Sequence, residues 1–429
     1  MTTNLSNTGW SRRGFLGLAG GLGACTLLPR LAWASGGAKR LVVVRAYGGW
    51  DVTFCMDPRL SSSSGVDGPD RTDSDEQIVN YDGLDIMAST SRPEVHSFFQ
   101  QHAANTIVVN GISVGSIVHD ECRQRIATGS RLDTAADMAC LSAVQHGTTE
   151  TLPYLDLTGG GQVGPYAAMA GSLGRNNQIK ALIERETTPI SAPDGTAFPR
   201  YLPSPSQQAA LETYLDQRRS RFTERMGARA ESARVATLQA AIERQRALED
   251  STLLEELEFG DSGTIQSQCT LAASLLGAGF CYSASINGGT NWDTHDDISQ
   301  QHGLYDTLFG GLNVLVDALK VENIWEDTIV VVISEMTRTP LMNRDGGKDH
   351  WPNTSALLFG GGLDGGRTLG GSSQDTLDAL PVNLASGELD SSSDTVITYG
   401  RFAAGVLHAT GVDTSAYLPG EEVLHGIVD

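Results

Sequence analysis

Chemistry in this chain can come from a few short polar stretches: Gly48-Gly-Trp-Asp51, His119-Asp-Glu-Cys-Arg123, Trp292-Asp-Thr-His295, Glu335-Met-Thr-Arg338 and Gly346-Gly-Lys-Asp-His-Trp351. Asp51, Asp293, His295, Glu335, Asp349 and His350, at expected strand ends, are the candidate metal ligands. Carboxylate and imidazole together suit zinc, manganese or iron, and carboxylates alone would also suit calcium or magnesium. Arg338 and Lys348 flank these residues, either to clamp a phosphate or sulfate or to pair with surface acids. Each motif alone has an innocent reading, since an Asp in a turn is ordinarily an Asx cap and a His beside Trp ordinarily packs in a core. Several of them at the strand ends of one sheet would be a site.

The elements that must hold these residues are legible as periodicity. Thr328-Ile-Val-Val-Val-Ile-Ser334 is an unbroken β-branched run. It predicts a strand buried on both faces, with Glu335 just past its carboxyl end, where open α/β sheets keep their sites. Lys39–Arg45 is a second strand and Ala46–Asp51 the turn that follows it. Further strands are expected at Thr106–Asn110, Phe280–Ile286 and Ser355–Phe359. Helices are expected around Glu94–Gln101, from about Asp120 to Thr128 ending at Gly129, and at Ile265–Ala278, Leu304–Lys320 and Tyr399–Thr410. Ser61–Asp85 is rich in Ser, Asp and Gly and reads as a surface loop. Strands alternating with helices predict an α/β fold, a doubly wound, mostly parallel sheet with helices on both faces. A Gln-, Glu-, Arg- and Ala-rich stretch at about 204–258 reads as a helical insertion, a solvated arm with no recognisable chemistry.

The first 34 residues read as an address. Ser11-Arg-Arg-Gly-Phe-Leu16 supplies a twin-arginine pair, an apolar run follows, and Ala32-Trp-Ala34 offers a small-residue cleavage site. These predict export by the twin-arginine machinery to the periplasm or beyond, leaving residues 35–429 as the mature domain. Leu22-Gly-Ala-Cys25 resembles a weak lipobox, which makes lipid anchoring at Cys25 the rival outcome. No other segment reaches the length of a membrane helix. Losing Arg12, Arg13 and Arg30 with the leader deepens a net charge that already stands at −21. Such a surface repels nucleic acid and anionic lipid. Cys55, Cys122, Cys140, Cys269 and Cys281 show no zinc or redox spacing; they read as buried apolar residues with room for one disulfide.

The order of a strand ending in Asp51, a helix closing in Thr128-Gly129, Asp293-x-His295, a strand ending in Glu335 and a later His350 resembles the alkaline phosphatase-like clan of phosphatases, sulfatases and cofactor-independent phosphoglycerate mutases. A closer resemblance, across nearly the whole chain, is to the exported family known as domain of unknown function 1501. It rests on the twin-arginine start, Gly-Gly-x-Asp, Trp-Asp-Thr-His, Ser-Glu-x-x-Arg-Thr-Pro and Gly-x-Asp-His-Trp.

The clan implies two metal ions at the carboxyl end of the sheet and a Ser, Thr or formylglycine nucleophile. On that resemblance Asp51 would bind one metal, and Asp293 and His295 the other. Asp297 restores the clan's four-residue offset, though as an acid. Met336 stands where the clan has a ligand His, with Asp349 placed to compensate. His119 falls at the nucleophile position, open to metal ligation, to nucleophilic or acid/base work, or to a structural role. Ser116 lies three residues upstream as an alternative nucleophile; Cys122 is off the modified cysteine's position, and Arg123 matches an arginine that holds the nucleophile or the substrate oxyanion.

The resemblance implies an exported hydrolase-like protein with one or two divalent ions (zinc, manganese or calcium), acting on small-molecule or polymeric phosphate or sulfate esters through catalytic His119, Arg123 and Arg338. The alternative is a non-catalytic, metal-stabilised binding or assembly protein on a degenerate scaffold.

Overall fold

Successive side chains of a strand point to opposite faces, so Leu41-Val-Val-Val44 can bury both sides at once. In a computed structural model that describes residues 38–172, 190–191, 197–198, 204–225, 263–289 and 291–428, this run is β1 (Arg40–Arg45). Val42 and Val44 enter one apolar core, Leu41 and Val43 the other. The expected leader with Cys25, and the expected insertion beyond Arg225, lie outside the described residues.

The chain continues through β2 (Gln77–Tyr81), β3 (Leu84–Ala88), β4 (Thr106–Ser113), β5 (Tyr154–Asp156), β6 (Ala170–Ser172) and a short pair, β7 (Ile190–Ser191) with β8 (Ala197–Phe198). Then come β9 (Ser283–Asn287), β10 (Thr328–Ile333), β11 (Thr337–Arg338), β12 (His350–Trp351), β13 (Asn353–Phe359) and β14 (Arg367–Gly370). Eight of these make one sheet, ordered β14-β4-β13-β10-β1-β9-β5-β6. β1 lies at its centre, parallel to β10 on one side, with Leu41 beside Ile329, and to β9 on the other. β13 alone runs antiparallel, to β10 and to β4. Its direction has a plain cause: the chain between β10 and β13 holds only turns and the β11–β12 pair, and without a crossover helix it can only double back.

The helices longer than two turns among the described residues are α1 (Pro93–His102), α2 (His119–Thr128), α3 (Met138–His146), α4 (Pro205–Arg225), α5 (Ile265–Gly277), α6 (Gln300–Val321) and α7 (Tyr399–Ala409). Residues of α1, α5 and α6, among them Phe98, Cys269 and Leu312, fill the core on one face of the sheet. Residues of α2, α3 and α7, among them Ile126, Leu141 and Phe402, fill the other. The doubly wound expectation therefore holds. α2 ends at Gly129, whose φ of +69° supplies the left-handed cap that the Thr-Gly pair predicts. α4 covers the described start of the insertion, and its residues with described side chains are exposed.

Two expectations need correction. Ser61–Asp85 is not loop throughout: β2 and β3 form a hairpin around Asp82-Gly83, both at positive φ. The Asp-Gly dipeptide is a hairpin signal, outweighed in the sequence by the polar run before it. The five cysteines are all buried and free, so the structure contains no disulfide among the described residues. No helix among those residues is long and apolar enough to cross a membrane.

Candidate metal centre

Polar residues gather where β1, β9 and β10 end. The turn after β1 carries Gly48 at φ +130°, and a Cβ there would stand 2.8 Å from the backbone nitrogens of Trp292 and Asp293. Only glycine lets the β1 and β9 turns close on each other this tightly. The Gly48 N–H donates to both oxygens of Glu335, at 2.8 and 2.9 Å. Glu335, two residues beyond β10, is fully buried and also accepts from His119 Nδ1 at 2.9 Å and Arg123 Nε at 3.2 Å. Burial alone would raise its carboxyl, but these donors, His119 foremost, outweigh burial and lower it.

Glu335 thereby settles how His119 faces the site. An ionised carboxylate accepts from Nδ1–H, so in the neutral ring Nε2 presents its lone pair on the other side, 3.4 Å from Asp293 Oδ2. That Nε2 is buried and has no hydrogen-bond partner. Two more histidines are turned in the same way. His350 Nδ1 donates to the Ile117 carbonyl at 2.9 Å, and His295 Nδ1 to Asp349 at 3.0 Å. Their Nε2 atoms lie 2.9 Å apart, and 3.2 and 3.0 Å respectively from Asp293 Oδ1. In neutral rings turned this way the lone pairs face at distances that repel, and a shared proton or a cation among them relieves the repulsion. Donors about 2.0–2.1 Å from a tetrahedral ion lie ~3.4 Å from each other. His119, Asp293 and His350 each offer one ligand atom within 4.8 Å of the others. The donor chemistry, nitrogen with carboxylate oxygen, fits zinc or manganese better than calcium.

Arg338 has no exposed surface. Its Nε donates to the Gly49 carbonyl at 2.6 Å and one terminal nitrogen to Lys348 O at 3.2 Å. The other reaches Trp292 O at 2.9 Å, Asp293 Oδ1 at 2.8 Å and the Gly48 carbonyl. Burial would raise the Asp293 carboxyl, yet the Arg338 hydrogen bond and then His350 hold it down at about 2.

The expected ligands thus separate. His119, Asp293, His295 and His350 are brought together. Glu335 and Asp349 stand one layer behind, orienting His119 and His295. Asp51 is elsewhere: fully buried, it holds Lys348 Nζ at 2.7 Å through Oδ2 and caps the following turn by accepting from Thr53 N and Oγ1 through Oδ1. Of the two roles open to Arg338 and Lys348, clamping an anion or pairing with acids, both are found paired with acids and buried, Arg338 with Asp293 and Lys348 with Asp51. Asp297 accepts from Ser299 and takes no part. Met336 packs with Val114 and Cys122 in a small apolar cluster. Ser116 Oγ is bonded to Glu121, and burial pushes the Cys122 thiol up to about 11. Arg123 alone of the three cations reaches outward, its side chain 38% exposed and its guanidinium over the Tyr47 ring. The Gly48 N–H and the Ile117 carbonyl were invisible to sequence reasoning because backbone donors and acceptors carry no residue-type signal, and the Lys348 partnership with Asp51 because it joins segments far apart along the chain.

Fold and site together define an α/β protein with a histidine–carboxylate cluster at the carboxyl ends of its central strands. The family described as "Protein of unknown function (DUF1501)" matches residues 38–418, and the chain belongs to it. No curated protein matches the sequence. Among solved structures the chain is similar to Ps i-CgsB in complex with a neocarrahexaose (10% identity, 90% of this chain and 75% of that one, TM-score 0.42). It is also similar to a protein in the alkaline phosphatase superfamily from Vibrio parahaemolyticus (10%, 93% and 74%, 0.41) and to the phosphonate monoester hydrolase of Agrobacterium radiobacter (12%, 90% and 78%, 0.31). The layered architecture itself stands on the strand pairings above.

Proposed function

We propose that the protein hydrolyses phosphate or sulfate esters at a centre where His119, Asp293 and His350, with His295 beside them, hold a divalent ion. The carrying observation is that three histidines aim Nε2 at one carboxylate, each turned by a hydrogen bond on its other nitrogen. A divalent ion in such a cluster polarises a phosphoryl or sulfuryl oxygen and acidifies water. Glu335 keeps the His119 proton on Nδ1, and Arg338 fixes Asp293. Arg123 is the exposed cation beside them, suited to an ester's anionic oxygens. Ser116 and Cys122 are engaged or protonated, which favours water over a side-chain nucleophile. The twin-arginine leader supports export, which makes an ester outside the cytoplasm, small or polymeric, the substrate class.

The same lack of a side-chain nucleophile favours a second reading, a non-catalytic binding or assembly protein stabilised by its ion. Zinc- or manganese-loaded protein should raise its melting temperature and turn over at least one of an aryl phosphate, a phosphodiester or an aryl sulfate. Asp293→Asn and His350→Ala should lower that turnover roughly 100-fold or more. A thermal shift without turnover would leave the second reading; no shift with any ion sinks both.

A further inference from the structure

We propose that the centre takes one divalent ion per chain and that the Lys348 ammonium is the built-in cation that satisfies Asp51 in place of a second. This rests on reading His119, Asp293 and His350 as the ligands of an ion. Asp51 and Lys348 are 0% and 1% exposed and 2.7 Å apart. The remaining oxygen of Asp51 is taken by Thr53, through its N–H at 3.1 Å and its hydroxyl at 2.7 Å. A divalent ion could reach this carboxylate only by expelling a buried ammonium that no other described acid is placed to receive.

Glu335 is closed in the same manner. Gly48, His119 and Arg123 meet one of its oxygens, Gly48 and Ser334 the other. One further cluster could hold an ion by ligand type, Asp73, Glu76 and His302. There Arg92, wholly buried, binds both Glu76 oxygens at 2.7 and 2.6 Å and lies 2.5 Å from His302 Nδ1, while His302 Nε2 meets the Thr72 hydroxyl. In both places a basic side chain already supplies the positive charge. At Asp293 a guanidinium is present too, Arg338 at 2.8 Å from Oδ1, but among the described residues only this cluster keeps ring nitrogens facing one another, those of His295 and His350 at 2.9 Å, with His119 Nε2 beside them unpartnered.

The full chain, stripped with a chelator and then titrated with zinc, is freed of excess metal and its zinc-to-protein ratio measured. The expected ratio is one for the wild type and for Asp51→Asn, and zero for His350→Ala. Cobalt in place of zinc should give a single absorption spectrum that saturates at one equivalent. A wild-type ratio of two that falls to one in Asp51→Asn overturns the inference while sparing the proposed centre. A wild type that binds neither zinc nor cobalt overturns the centre itself. If Asp51→Asn fails to fold, the wild-type ratio decides alone.

Discussion

At the residue scale the histidines are distinguished by what holds their far nitrogen. A carboxylate or carbonyl behind a ligating imidazole fixes its tautomer, and removing that partner commonly weakens metal affinity 10–100-fold. The hydrogen bond that His119 donates to Glu335 raises the His119 pKa against the opposing effect of burial. In the ion-free chain the protonated form is thus favoured to a higher pH than usual. The stability it lends is present at low pH and lost as pH rises through that raised value, while affinity for an ion, which needs neutral imidazole, grows over the same window. Zinc affinity measured by chelator competition should fall about tenfold per pH unit for this one proton as pH drops below the raised His119 value. Glu335→Gln should lower affinity at neutral pH and move the fall to lower pH. A pH profile identical in the two proteins would refute the role of Glu335.

At the scale of elements, the site is made by turns that glycine allows to touch. Gly48 lies between the β9 turn and Glu335, at a φ that side chains other than glycine rarely adopt. Gly48→Ala should destabilise the fold by about 1–3 kcal/mol from backbone strain. It should also loosen Glu335, so zinc affinity falls in chain that still folds. Calorimetry with a zinc titration checks both; an unchanged melting temperature would show that the turn can open without cost. β1 and β10 were legible because a strand buried on both faces must be apolar along its whole length. The β2–β3 hairpin was not, since one Asp-Gly pair had to compete with a longer polar composition. The direction of β13 depends on what the connecting segment lacks, a crossover helix, and an element's absence is harder to see than its presence.

At the scale of the molecule, buried ion pairs tie distant segments: Arg45 with Asp137, Arg92 with Glu76 and Asp51 with Lys348, each at 2.6 or 2.7 Å. Burying two charges costs much of what their attraction returns, so such a pair specifies an arrangement more than it stabilises one. Breaking it is different, because the remaining charge is stranded. Lys348→Met should cost about 3–5 kcal/mol. Asp51→Asn combined with Lys348→Met should recover most of that loss. Denaturant unfolding of the single and double variants measures the coupling, and additive losses would mean the pair does not act as a unit.

The sequence by itself determined the layered α/β architecture, the strand ends that would carry chemistry, and which residue types collect there, because hydrophobic period and motif order are local properties of the chain. The tertiary structure alone decided which donors surround each acid. Asp51, Glu335 and Asp293 are alike as carboxylates in sequence. Lys348 meets the first, Gly48 with His119 and Arg123 saturates the second, and the third, though held by Arg338, has the Nε2 atoms of His295 and His350 turned towards it. A carboxylate's role is set by the donors that surround it, and those arrive from segments far apart along the chain.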